Sequence, residues 1–208
     1  TKRQQTLNAE NDKLTAQTAT EYGKEAEKRL ASYDIRRDQA LQLNNLYKDY
    51  MTNRSADKIA NLISWGKAAG FNMDSADPAN FDSAMKIAMS QLASGIASDK
   101  LQRAPEAGRQ VLMPTIPSPT SDPGATYTVL GRMLGEMDYT MKRDMAYKAG
   151  TNPLAFAQEY RRSNANPIEA DVANGLSQLE LHKGIEPAVI KNLMDRYGKY
   201  GYTPKGME

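Results

Sequence analysis

Residues 122–150 read DPGATYTVLGRMLGEMDYTMKRDMAYKAG, and this stretch decides the fold. Proline at a first helical position loses no hydrogen bond, and the side chain of a preceding Asp or Asn can accept from the orphan amides. Asp122-Pro123 therefore opens a helix. Met133, Met137, Met141 and Met145 recur at helical spacing beside Leu130 and Leu134, and Gly150 supplies the stop. The same punctuation recurs at Asp77-Pro78, Asn152-Pro153, Asn166-Pro167 and Glu186-Pro187. Asp77-Pro78 is expected to open a helix carrying Phe81, Ala84, Met85, Ala88 and Leu92. Asn152-Pro153 precedes Leu154, Phe156 and Tyr160. Asn166-Pro167 has Glu169 in capping-box position and the periodic set Ile168, Val172, Leu176 and Leu179. A last helix, about 187–197, carries Val189, Ile190, Leu193 and Met194.

Upstream, residues 1–53 contain no proline and a single glycine, Gly23, so one long helix or two end-to-end helices is expected, roughly 80 Å if continuous. Its first half bears a sparse stripe of Leu7, Leu14, Tyr22, Ala26, Leu30 and Tyr33. The second half is richer, with Leu41, Leu43, Leu46, Tyr47, Tyr50 and Met51. A break at 52–55 precedes a helix over about 56–69, with Ile59, Leu62, Ile63 and Trp65 facing inward and Gly70 as a left-handed stop. A shorter helix near 98–111 is interrupted by Pro105. Pro114, Pro117, Pro119 and Pro123 make 113–124 an irregular connector. The expected architecture is all-α: a long amino-terminal helix or helical arm (1–53), a small multi-helix bundle (55–197) and an irregular tail (198–208).

Composition agrees with that class. Only four of the 208 residues are valine, and Leu, Ile, Val and Phe together number 33, so the core is thin and must be filled out by 11 Met, 11 Tyr and Ala. A thin core fits either a marginal monomer or a protein whose apolar face is completed by a partner. The absence of cysteine excludes disulfides and thiolate chemistry. No apolar run approaches the roughly 20 residues of a membrane span, and no secretory signal is visible. The chain opens at Thr1, as a trimmed protein or a piece of a longer one would.

No catalytic, cofactor, metal or small-molecule signature emerges. His182, the one histidine, sits at an expected helix end, where a polar cationic side chain suits the dipole without any catalytic role. Glu136 and Asp138 lie two apart on a helix and point to different faces; Glu159 and Glu169 read as solvated. The methionine ladder is either core or an adaptable binding groove. Charges on the first helix alternate in sign and neutralise one another. The carboxyl-terminal stretch is more one-sided: Lys183, Lys191, Arg196, Lys199 and Lys205 are interleaved with Tyr197, Tyr200 and Tyr202. Cations beside stacking rings are what loose single-strand binding uses, with Lys191, Arg196, Lys199, Tyr200 and Tyr202 as the contacts, unless this is merely a basic tail. The sparse stripe of Leu7, Leu14, Tyr22, Leu30 and Tyr33 is the candidate interaction face.

An amphipathic helix ending near Trp65-Gly66, Asp77-Pro78 with its helix, Ala104-Pro105-Glu106, the long helix after Asp122-Pro123 and the closing Asn166-Pro167-Ile168 occur in that order over roughly residues 41–168. In this the chain resembles helical virion-associated proteins of tailed bacteriophages and prophages. That resemblance implies a non-enzymatic particle protein, assembled in the host cytoplasm, that is internal and ejected with the genome or belongs to the tail and connector. Its partners would be copies of itself, other virion proteins or DNA. Some phage internal proteins also carry a cell-wall-cleaving transglycosylase domain. Its signature does not occur here, although a peptidoglycan-cleaving enzyme built on Glu136 or Glu159 is a third reading.

Overall fold

A computed structural model describes residues 2–100, 116–164 and 166–206. Within them lie seven α-helices and no strand: α1 (Lys2–Thr52), α2 (Ala56–Ala68), α3 (Phe81–Lys100), α4 (Pro123–Lys148), α5 (Pro153–Ser163), α6 (Pro167–Leu176) and α7 (Pro187–Tyr197). The protein is thus all-α with a long amino-terminal helix followed by shorter ones. The expected interruption at Pro105 and the first part of the Pro-rich connector lie outside the described residues.

Helix starts follow the local chemistry. The Asp122 carboxylate accepts from the Ala125 amide at 2.9 Å, and the Asn166 side chain accepts from Glu169 N at 3.4 Å, each with proline at the first turn. Asp77-Pro78 does not open a helix. Asp77 instead accepts from the Ala79 amide at 2.9 Å and closes a turn, and Asn80 caps α3 by accepting from Ser83 N at 3.2 Å. Glu169 does not complete a reciprocal capping box. Its carboxylate takes Arg196 at 2.7 and 3.1 Å.

Helix α4 is the central element, touching α1, α3, α5, α6 and α7. Its closest neighbour is α6, and three glycines explain why. A Cβ on Gly135 would stand 1.9 Å from the Asp171 carbonyl oxygen, and one on Gly175 would stand 1.8 Å from that of Gly131. Nothing larger than hydrogen fits between the two backbones. Around this crossing Leu130, Leu134, Val172, Ala173 and Leu176 are buried. The methionine ladder divides along α4: Met133 and Met137 are core, whereas Met145 is 55% exposed.

The second half of α1 enters the same core. Ala40, Leu43 and Tyr47 are fully buried with Phe81, Met85, Met89 and Leu92 of α3. Tyr50 stacks on Phe81 at 3.7 Å, and Tyr47 packs edge-on to Tyr127 at 5.4 Å. The break after Thr52 is therefore a boundary between helices and not between cores. At the other end of the chain, residues beyond α7 form a single 3₁₀ turn (Gly198–Tyr200) and then return to the bundle. Tyr202 is 3% exposed, and Leu181 N donates to Lys205 O at 3.0 Å. Burial of one tyrosine and a backbone bridge tie down a stretch that its glycines make look unstructured.

Candidate functional site

The most heavily buried charge is Asp144 on α4, whose side chain is 0% exposed. Arg29 of α1 reaches it through Nε at 2.6 Å and Nη2 at 3.1 Å, Arg143 adds bonds at 3.2 and 3.1 Å, and the Tyr22 hydroxyl donates at 3.1 Å. Tyr22 also packs edge-on to Tyr147 at 4.6 Å, and Tyr147 donates to the Ala19 carbonyl at 2.7 Å. Burial pushes the Tyr22 hydroxyl pKa up and keeps it a donor. The carboxylate oxygens are thus taken up by two guanidinium groups and a phenol. The adjoining cavity holds about 30 Å³ between Tyr33, Arg36, Ile96, Met137 and Thr140, room for a water molecule and not for a substrate. The cluster is a lock holding the middle of α1 onto α4.

Nearly two turns nearer the centre of α4, Asp138 collects neutral donors. The Tyr33 hydroxyl donates at 2.5 Å, and the amides of Asn174 and Gln178 donate at 2.7 Å each. Burial, and then this hydrogen bond, push the Tyr33 pKa well above its ordinary value. Of the expected interaction face, Tyr22 and Tyr33 thus point into the α1–α4 joint, and Leu30 is half-buried beside them. The side chains of Leu7 and Leu14 lie outside the described residues.

The other acidic candidates do not converge. Glu136 pairs with Arg132 at 3.2 Å on its own helix, Glu159 is exposed, and Glu169 is engaged with Arg196. His182 is a core residue, 5% exposed. Its backbone amide donates to the Tyr127 hydroxyl at 2.8 Å, and that hydroxyl lies 3.0 Å from its own Nδ1. The Tyr127 hydroxyl thus ties both the backbone and the ring of His182 into the core. Burial, then the nearby Arg54 charge, lower the His182 pKa. No group of three or more metal-ligating side chains occurs among the described residues, and no described helix is long and apolar enough to cross a membrane.

The expected nucleic-acid contacts are scattered. Lys191 pairs with Asp195 at 2.5 Å, Arg196 with Glu169, and Lys199 sits 5.1 Å from the ring centre of half-buried Tyr200. Tyr202 is in the core and has no free face to stack on a base. The bases gather elsewhere. Lys48 at the end of α1, Lys58 at the start of α2, Lys183 and Lys205 line one open groove of about 970 Å³, with Asp49 and Glu180 among them. Sequence reading missed it because its walls come from segments more than a hundred residues apart.

A second groove, about 720 Å³, runs between α1 and α2 past Ile35, Leu41, Trp65, Ala68 and Ala69. Ile35 is 61% exposed there. Comparison of the chain with protein-family models, with curated proteins and with solved structures found no match.

Proposed function

We propose that this chain is a non-enzymatic structural component of a bacteriophage particle, and that it works by associating with copies of itself along α1. The observation that carries the reading is the mismatch between α1 and what it packs on. Helix α1 runs 51 residues, whereas α4, its main partner, runs 26. The lock at Asp144 grips α1 from Ala19 onward. Residues 2–18 continue the helix for about 25 Å more. Most helical stability in proteins comes from packing of a helix face on a neighbour, which a second copy would supply along this stretch. Exposed Ile35 beside the α1–α2 groove offers a second apolar contact on the same helix. Asp138, Asp144 and Glu169 each hold one element to another, Glu136 pairs within its own helix and Glu159 is exposed, so the candidate carboxylates do not converge on one site. The particle itself comes from the sequence resemblance.

Light scattering of the full chain tests this. The expected mass is a multiple of 23.0 kDa that falls to the monomer in Ile35→Lys combined with deletion of residues 2–18. A single 23.0 kDa species at the highest soluble concentration overturns the proposal.

A further inference from the structure

The Lys48–Lys58–Lys183–Lys205 groove is not explained by association along α1, and its lining is shared with no other feature described above. We infer that it binds the sugar-phosphate backbone of single-stranded nucleic acid, without regard to base sequence.

The groove is built by the return of the chain terminus. Leu181 N donates to Lys205 O, and Glu180 and Lys205 form an isolated parallel bridge, so Lys183 and Lys205 leave adjacent backbones. Gly206 has φ +84°, and a Cβ there would lie 3.0 Å from the Leu181 carbonyl. That close approach needs glycine. Lys48 is fixed against Glu180, and Lys58 lies 3.9 Å from Asp49.

Charge counting decides the sign. Four lysines face two carboxylates in this lining. The last carbonyls of α1 add about half a negative charge, and the sum stays near +1.5. Among the described residues Lys183 and Lys205 have no carboxylate within ion-pair distance, and both are exposed. Arg54, next in sequence to the groove residue Asn53, adds to the same field; its charge already bears on His182. The Glu180 carboxyl is held below its usual range first by Lys48 and then by Lys205, which places the lysines in one electrostatic neighbourhood.

The four lysines come from two separate segments, 48–58 and 183–205, which meet across the groove where Lys48 pairs with Glu180, an arrangement that suits a polyanionic chain lying between them. No aromatic ring lines the groove, so base stacking contributes nothing and the contacts are to phosphates alone. Such binding is dominated by counterion release, for which the logarithm of affinity falls about 0.7 per phosphate contact per decade of salt on single strands.

The test is fluorescence anisotropy of a labelled oligothymidylate with the full chain between about 50 and 200 mM salt. Lys183 and Lys205, paired with no carboxylate among the described residues, make two contacts and predict a slope near −1.4, and the double variant Lys183→Gln/Lys205→Gln predicts a slope near zero with affinity at 50 mM lowered about 60-fold. Both side chains are exposed and pair with no carboxylate among the described residues, so the fold survives, as far-ultraviolet circular dichroism would verify. Glu180→Gln frees Lys48 and should bind more tightly. Lys191→Gln/Lys199→Gln, outside the groove, should bind as the parent does. The inference is overturned by absence of binding at low salt, by undiminished binding of the Lys183/Lys205 variant, by an equal loss in the Lys191/Lys199 variant, or by retention on phosphatidylserine vesicles with none on DNA. Self-association is read by mass and this by anisotropy, so either proposal can fail while the other stands.

Discussion

Gly175→Ala is the substitution on which local and tertiary reasoning disagree most. Within a helix, alanine is favoured over glycine by about 1 kcal/mol, which predicts a more stable protein. The α4–α6 crossing predicts the reverse. The new Cβ would stand 1.8 Å from the Gly131 carbonyl oxygen, against the 3.4 Å at which ordinary contact begins. Relief requires α6 to back away by about 1.6 Å, enough to forfeit half or more of the dispersion contact across the joint. Val172 and Leu176 are 4% and 1% exposed there. Burying each stabilises by about 1.5–3 kcal/mol, so losing half of that for the pair removes about 1.5–3 kcal/mol. Strain in the remaining contacts adds about 1 kcal/mol more. Against the propensity gain, the net expectation is a loss of about 1.5–3 kcal/mol. Urea denaturation followed by circular dichroism would show this as a lower midpoint at unchanged slope. Gly198→Ala is the matched control. Gly198 has φ −58° with nothing within 4 Å of its virtual Cβ, so alanine there should be neutral or stabilising by up to about 1 kcal/mol. If Gly175→Ala were as stable as the parent, the backbone contact between α4 and α6 would be refuted.

Removing the carboxylate of the buried lock strands Arg29, whose side chain is 9% exposed. Asp144→Ala should therefore cost about 3–5 kcal/mol in thermal or chemical unfolding and speed amide hydrogen exchange around Tyr22 and Arg29, whereas a surface carboxylate such as Asp57 should cost little. For His182 the folded pKa lies below the ordinary 6.5, so the unfolded chain binds the proton more readily. Its contribution is complete above the unfolded pKa and is lost as pH falls from about 6.5 to the depressed folded value. Stability measured between pH 7 and 5 should decline less steeply in His182→Gln than in the parent, and an identical decline would contradict a neutral, buried imidazole.

Helix starts were legible where the capping side chain and its helix are the only local choice, as at Asp122 and Asn166. Near Asp77 two capping residues stand three apart, and the rule cannot choose between them. The turn closed by Asp77 consumes it and leaves the cap to Asn80. Gly131 and Gly135, four apart in α4, were a readable signal, since each is unfavourable in a helix interior unless a second backbone must come close. Their partner Gly175 is forty residues away from Gly135, and no pattern in the chain links them. Asp144 and Arg29 are separated by 115 residues, and a paired charge is indistinguishable from a solvated one until the fold joins them. The Lys/Tyr stretch near the terminus was divided by burial: Tyr202 went to the core, whereas Lys205 turned to the groove. Composition predicts neither.

Helix α1 is gripped along its length, by the guanidinium of Arg29 on Asp144, by the hydroxyl of Tyr33 on Asp138 and by the ring of Tyr47 among Phe81 and Tyr127. From the first of these grips to the last it runs unbroken for about 27 Å. It is a bolted strut, and no loop lies between the bolts to take up slack. A pull on its amino-terminal end would be carried to the aromatic nucleus beside the lysine groove as displacement of a rigid body.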